Sequence, residues 1–180
     1  DNSNLNFGQL GGRFRFMNVT VWANATDGSG AALPAVDVQS ADGAFEGLDL
    51  HGVHAGVAWN ADIPGQRVSY LHDATLDDAG CLDLSDQKLL RIDRLDITGC
   101  TGALALSNSD VNVTATDLTA LAVNGASIDL TDGSTLHLSN SPVSSFTSVS
   151  IDATSMIEEA WPVEVWVRNL VGNGVPFASV

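Results

Sequence analysis

The sequence contains few basic residues, few cysteines and no long apolar run. Lys and Arg number 7 against 22 Asp and Glu, which gives the 180 residues a formal net charge of -15. A surface of this sign repels a phosphate backbone and an anionic membrane face. No stretch reaches the roughly 18 consecutive apolar residues of a membrane-spanning helix, and no basic-then-apolar signal peptide opens the sequence. We therefore expect no nucleic-acid partner and no membrane insertion.

The two cysteines, Cys81 and Cys100, are 19 residues apart, without a CxxC motif or a histidine at zinc-ligand spacing. This spacing argues against structural zinc and favours a disulfide, with two small buried hydrophobes as the alternative. Asn-x-Ser/Thr acceptors for glycosylation stand at Asn18, Asn24 and Asn112. These features favour an extracellular or cell-surface location. Because the first residue is Asp1 and not Met, we expect either a removed leader or a fragment of a longer protein.

The acidic residues are unevenly divided, with 18 Asp to 4 Glu, beside 17 Gly and abundant Ser, Thr and Asn. Helix surfaces prefer Glu, Lys, Gln and Arg, whereas the residues abundant here prefer turns and strand ends. The composition therefore predicts an all-β protein with many turns. Residues 155–160 form the only plausible helical stretch, one or two turns that Pro162 would end.

Alternating apolar residues mark strands near the beginning of the chain, including Phe14, Phe16, Val19 and Val21. A V-x-V-W strand, a Gly-rich turn and a P-A-V-x-V strand follow one another there. This arrangement resembles the opening of immunoglobulin-like sandwich modules of the carboxypeptidase-regulatory type over about residues 14–60. The resemblance implies a β-sandwich-like module over residues 1–65.

The same order of strand, Trp, Gly-x-Gly turn and Pro returns near the end of the sequence. Val19-Thr20-Val21-Trp22 aligns with Val163-Glu164-Val165-Trp166 at an offset of 144, and Pro34 matches Pro176 after a shorter turn. We therefore assign residues 161–180 to terminal strands, which either begin a second module or are donated to a neighbour.

The middle segment, residues 66–160, repeats short apolar pairs between polar turns. Leu104 to Leu121 and Val111 to Ile128 are both 17 residues, and Ile128 to Val149 is 21. Repeats of this length are typical of a short right-handed parallel β-helix, whose inward side chains stack from coil to coil. The pattern resembles the architecture of the pectate-lyase-like superfamily. The alternative is a single antiparallel β-sandwich, jelly roll or meander.

Calcium is the most credible metal, because Asp-rich turns provide the hard oxygen ligands that it selects. The candidate ligands are Asp77, Asp78, Asp83 and Asp86. We expect no other cofactor. The pair His51 and His54 has metal-ligand spacing but lacks the base and helix of an HExxH motif. Lys88, Arg91 and Arg94 are interpreted as outward residues paired across the strands rather than as catalytic groups.

The four tryptophans, Trp22, Trp59, Trp161 and Trp166, suit either carbohydrate stacking or packing between modules, and the second is favoured. Alternation predicts that Trp22 points away from the core, opposite to Val21. Histidines His72 and His137 have no partner that the sequence identifies and are expected on exposed strands or turns.

These features together predict a non-enzymatic extracellular structural protein, a self-assembling or tandem building block of a cell-surface layer, stalk or filament. It resembles Asp- and Thr-rich secreted β proteins of archaea that combine β-helices with immunoglobulin-like modules. The expected partners are further copies or adjacent modules, joined by strand addition. The predicted assembly residues are Val163, Val165, Val167, Phe177 and Val180. The alternatives are an adhesin or carbohydrate-binding module, with Trp59 and acidic turns as its glycan contacts, and a polysaccharide-degrading β-helix enzyme fragment.

Overall fold

A computed structural model describes residues 5–22, 34–51, 56–77, 82–98, 103–114, 127–139 and 148–161. All regular structure in these ranges is β-strand. The strands are β1 (Leu5–Trp22), β2 (Val36–His51), β3 (Val57–Asn60), β4 (Ser69–Asp77), β5 (Leu82–Ser85), β6 (Leu90–Thr98), β7 (Ala103–Ser107), β8 (Asp110–Thr114), β9 (Ser127–Thr131), β10 (Thr135–Ser139), β11 (Ser148–Ile151) and β12 (Met156–Ala160). Among the described residues, no helix has the length and apolar character needed to cross a bilayer.

Every pairing between the described strands is parallel. Strands β3, β5, β7, β9 and β11 form one stack, the odd stack, and β4, β6, β8, β10 and β12 form the even stack. The long strand β2 joins the two stacks, since its first part pairs with β3 and its second part with β4. This is a parallel β-solenoid in which each later coil contributes one strand to each stack. The predicted β-helix is confirmed, and the antiparallel alternative is wrong for the described strands.

The coils are longer than the 17-residue repeat predicted. Leu104 lies opposite Ile128, 24 residues later, and Ile128 lies opposite Val149, the 21-residue step that was predicted correctly. Val111 pairs with Leu136 and not with Ile128. The 17-residue step from Val111 to Ile128 was misleading because it joins β8 of the even stack to β9 of the odd stack.

Parallel pairing also reaches the segment for which a sandwich-like module was predicted. Strands β1, β2 and β3 pair with one another in order, and β2 and β3 continue to β4 and β5. Within the described part of residues 1–65, no antiparallel pairing of a sandwich occurs. The coil pattern thus crosses the expected boundary at residue 65, while the division of the chain into domains stays a prediction.

The core consists of apolar columns that run from coil to coil. In the odd stack one column is Val57, Leu82, Leu104 and Ile128, and in the even stack another is Leu71, Ile92, Val113 and Leu138. All eight side chains are buried. Burial of one such side chain contributes about 1.5–3 kcal/mol, so the columns account for the alternating apolar pattern of the strands.

An aromatic cluster closes the core beneath β1. Its rings are those of Phe7, Phe14, Phe16, Phe45 and Trp59, with centroids 4.4–6.4 Å apart. Phe14 packs directly on Gly43, where an added Cβ would lie 2.4 Å from the Phe14 carbonyl oxygen. A side chain at this position has no space, so glycine allows β1 to approach β2.

The predicted helix at residues 155–160 is wrong, because Met156–Ala160 forms β12 and pairs in parallel with β10. Pairing satisfies its backbone groups along the edge of β10, and Ile157 packs against the core. This tertiary pairing outweighs the modest helical preference of two neighbouring glutamates.

Candidate functional site

Corner turns join the odd strand of a coil to its even strand, and polar side chains stack along them. Asp86, Asn108 and Asp132 occupy successive corners with φ of 56°, 48° and 57°, a conformation that Asn and Asp tolerate best. Asn60 Nδ2 donates to Asp86 Oδ2 at 2.9 Å, and Asn108 Nδ2 donates to Asp86 Oδ1 at 2.7 Å. The Asp86 carboxylate therefore links three coils through amide donors. The short, Gly- and Asp-rich turns of the sequence are built for this geometry.

Inside the corners runs a second ladder, which sequence analysis missed. The backbone N–H of Gln87 donates to Ser109 Oγ, that of Ser109 to Ser134 Oγ, and that of Ser134 to Ser155 Oγ, at 2.9–3.1 Å. Gln87, Ser109 and Ser134 are buried. The available signal was a serine that follows a corner Asn or Asp by one or two residues, as in Asn108-Ser109 and Asp132-Gly133-Ser134.

A polar groove of about 450 Å³ lies against these corners. The turn after β3 contributes Asp62 and Gln66, and the following coils contribute Lys88, Asp110 and Thr135. Gln66 fixes this wall, since its Nε2 donates to the Asp86 carbonyl and its Oε1 accepts from the Lys88 N–H. The described lining contains carboxylates, an amine and hydroxyls but no aromatic ring. It suits a polyhydroxylated ligand held by hydrogen bonds.

The predicted calcium ligands are only partly described. Asp78 and the side chain of Asp77 lie outside the described residues. Asp83 is exposed on β5, whereas both oxygens of Asp86 already accept amide hydrogen bonds. Within the described ranges, no three His, Cys, Asp or Glu side chains gather as metal ligands. Calcium binding by the full set of four stays a prediction.

Ion pairs cross the outer face of the even stack, as expected for its alternating charges. Arg15 binds Glu46 through two hydrogen bonds of 3.1 and 2.9 Å, and the Arg15 hydrogen bond lowers the pKa of Glu46. Arg94 reaches Asp73 on the preceding coil, and this hydrogen bond lowers the pKa of the Asp73 carboxyl. The prediction that Arg94 pairs across the strands is thus confirmed.

The histidines have carboxylate partners that the sequence did not identify. His72 Nδ1 lies 3.1 Å from Asp93, directly opposite it on β6. His137 is bracketed, with Nε2 3.2 Å from Asp110 Oδ1 and Nδ1 2.8 Å from Glu158 Oε2. Since consecutive coils bring these residues together over 21 to 27 positions, only the correct coil length would have predicted the pairs.

His51 lies 2.9 Å from Asp49 and stacks on Trp22 with centroids 4.3 Å apart. His54, the other half of the HxxH spacing, lies outside the described residues. Trp22 is 70% exposed while Val21 is buried, which confirms the predicted alternation.

Trp59 is not available as a glycan contact, so this part of the binding-module alternative is wrong. Its side chain is 1% exposed, packs against Phe14 and Phe45, and donates from Nε1 to the Ala41 carbonyl at 2.8 Å. Trp161 is 53% exposed, and Trp166 lies outside the described residues.

Other predicted sites are partly or wholly outside the described ranges. Asn18 is exposed on β1 and Asn112 is half-buried on β8, and glycosylation at either stays a prediction. The undescribed positions are Asn24, Cys81, Cys100, Val163, Val165, Val167, Phe177 and Val180.

The last described coil presents an open end, formed by β11 and β12. Val149 and Ile151 continue the inward columns of Ile128 and Leu130, yet they are 38% and 44% exposed, whereas the two residues beneath them are fully buried. On β12 the inward column ends in a charge, since Glu159 lies opposite buried Leu138 and is exposed.

Comparisons with known proteins do not add a family to this picture. No protein-family model matches the chain, and no curated protein or solved structure is significantly similar to it.

Proposed function

We propose that this protein is a non-enzymatic extracellular structural protein, a self-assembling or tandem building block of a cell-surface layer, stalk or filament. The observation that carries the proposal is the open end. Its odd stack finishes in exposed apolar residues, Val149 and Ile151, above columns that are otherwise buried. An apolar sheet edge of this kind favours the addition of another strand.

Two further features support a structural role. The coils are held by stacked apolar columns and corner ladders, which repeat without a break through the described coils and can extend a rod at little cost in charge. The outer surface carries most of the formal charge of -15, which keeps the sides of such a rod apart and leaves its ends for contact.

Assembly is tested by electron microscopy and sedimentation of the full chain and of a variant lacking residues 162–180. The full chain is expected to form filaments or sheets, and the truncated chain to remain as single particles. Ile151→Lys is the matched point variant, because it charges the open end and removes no buried side chain. Single particles of the full chain at all concentrations, or unchanged polymers of the truncated chain, would contradict the proposal.

The groove favours a second candidate function, a carbohydrate-binding module or adhesin. Its hydroxyl, amide and carboxylate groups suit a glycan, although it lacks an aromatic platform among its described residues. A glycan array with the full chain tests this function. Binding that is lost in Asp62→Ala and Lys88→Ala, and retained in the distant variant Asp83→Ala, would support it; an array without signal would reject it.

A further inference from the structure

The two ends of the described solenoid differ, and only one is suited to accept a strand. At the β1 end, Phe14 is buried in the aromatic cluster. The pairing of β1 with β2 is interrupted by register shifts on either side of Gln9, and Arg13 and Arg15 stand exposed along the strand. Irregular pairing and positive charge are devices that protect sheet edges. The open end has apolar residues where β1 has its own ring cluster.

Within the open end, the odd and even stacks are also unequal. On β11, Val149 and Ile151 offer two apolar inward positions spaced by two residues. On β12, Glu159 occupies the inward position, and covering it with another coil would remove a carboxylate from water. The end therefore suits one strand laid over β11 and disfavours a complete coil laid over both stacks.

The chain itself contains a strand of the required pattern. Val163, Val165 and Val167 alternate with Glu164 and Trp166, so one face of this segment is entirely valine. Two consecutive valines of the three match the spacing of Val149 and Ile151. The segment is short, apolar on one side and polar or aromatic on the other, as expected for a strand added to a half-covered edge.

Chain length decides between its own solenoid and a second copy. In the described coils, at least four residues separate the end of an even strand from the start of the next odd strand, as between Asp77 and Leu82. Only Trp161 and Pro162 separate the end of β12 from Val163. Two residues are too few to return to β11, so the whole segment cannot lie on the β11 of its own chain.

We infer that residues 163–167 of one copy add as a parallel strand to β11 of a second copy. The inference rests on the proposed structural function and specifies its interface. The valines cover Val149 and Ile151, and the outward Glu164 or Trp166 lies beside the outward Ser150, according to which pair of valines is used. Because the donor and acceptor surfaces are different, each copy can give one strand and receive another, and the contact propagates without closing.

Disulfide trapping between two preparations of the full chain tests this contact. One preparation carries Ser150→Cys and the other carries Glu164→Cys or Trp166→Cys, so a bond between the engineered positions joins two molecules. Non-reducing peptide mass mapping distinguishes it from any bond of Cys81 or Cys100. We expect the Ser150 peptide joined to one donor peptide. The control acceptor Asp129→Cys, one strand further in on β9, should give no such bond.

Absence of the bond in both donor variants would overturn the inference, as would a bond that forms only within one molecule when both cysteines are placed in the same chain. Filaments that persist without the bond would leave the structural function standing and refute this interface alone. Single particles throughout would refute the proposed function as well.

Discussion

The backbone N–H of Ser109 donates a 3.1 Å hydrogen bond to Oγ of Ser134, which stands at the equivalent corner of the next coil. Ser134 Oγ in turn donates to the Thr131 carbonyl at 2.6 Å. Both serines are buried, so one hydroxyl satisfies a backbone donor and a backbone acceptor that water cannot reach. The corner ladder therefore holds the coils in register as well as closing each turn.

Ser134→Ala tests the ladder. Loss of the hydroxyl leaves the Ser109 N–H buried without its acceptor, which should lower the free energy of unfolding by about 1–3 kcal/mol. Urea denaturation followed by circular dichroism measures the change. The exposed Ser150→Ala serves as control and should stay within about 0.5 kcal/mol of the parent protein. Equal effects of the two substitutions would show that the ladder contributes no stability.

Trp59→Ala and Trp22→Ala should separate core from surface. Trp59 fills the aromatic cluster, and its removal should cost about 3–5 kcal/mol of unfolding free energy. Trp22 is exposed and stacks only on one side with His51, so its removal should cost no more than about 1 kcal/mol. Urea titrations of both variants make the comparison. A small loss for Trp59→Ala would contradict its place in the core.

Asp152 makes the fold sensitive to acid. Ser155, Thr154 and the Asp132 N–H donate to its carboxylate, and these hydrogen bonds hold the pKa of Asp152 well below its ordinary value. Its contribution to stability is therefore present above the pKa of the unfolded chain, about 4, and is lost as the pH falls towards the folded pKa. Stability should decrease progressively below about pH 5.

The variant Asp152→Asn tests this link through thermal melts between pH 7 and pH 2. The substitution leaves at most one acceptor oxygen, so an amide group faces a backbone N–H donor. We expect a lower Tm than that of the parent protein at pH 7 and a difference that shrinks as the pH falls. Parallel curves for the two proteins over this range would exclude Asp152 as a source of the acid dependence.

Gly43→Ala should disrupt the contact between β1 and β2. The added Cβ would lie 2.4 Å from the Phe14 carbonyl and 2.7 Å from its ring, so the backbone itself must move. Gly65→Ala is the comparison, because Gly65 has open space but a φ of 72°, and its cost is limited to about 1–2 kcal/mol. Denaturant unfolding should show a larger loss for Gly43→Ala, and the reverse order would contradict the close approach.

The sequence predicted inward positions better than it predicted the coil. Pairs such as Ile128 and Leu130 were identified by alternation, which is a local property of a strand. The coil length was misjudged because Val111 and Ile128 look equivalent along the chain although they belong to different stacks. Register depends on which strands meet across a whole coil, and local spacing does not contain that information.

The candidate site shows the same division between local and long-range signals. The pairing of Arg94 across the strands followed from alternating charge, but the bracketing of His137 by Asp110 and Glu158 depended on coils of about 25 and 21 residues. Trp59 was proposed as a ligand contact because composition alone does not distinguish a buried ring from an exposed one. Burial is decided by the columns above and below a residue.

Glu159 supplies the sharpest test of how the open end limits contact. Its column is otherwise apolar, running through Leu71, Ile92, Val113 and Leu138, so the carboxylate marks the position where another buried residue would continue the stack. A charge at this inward position disfavours the stacking of two solenoid ends, because the contact would desolvate it. Glu159→Leu removes that penalty and adds apolar area to the end.

We expect Glu159→Leu to increase end-to-end association at least tenfold, which is about the effect of burying one further leucine at 1.5–3 kcal/mol. Sedimentation velocity over a concentration series measures it. Glu158→Leu is the matched control, since it removes the same charge and adds the same side chain on the outward face, beside His137. Equal association of the two variants would show that contact occurs along the sides of the solenoid, because only position 159 faces the column at its end.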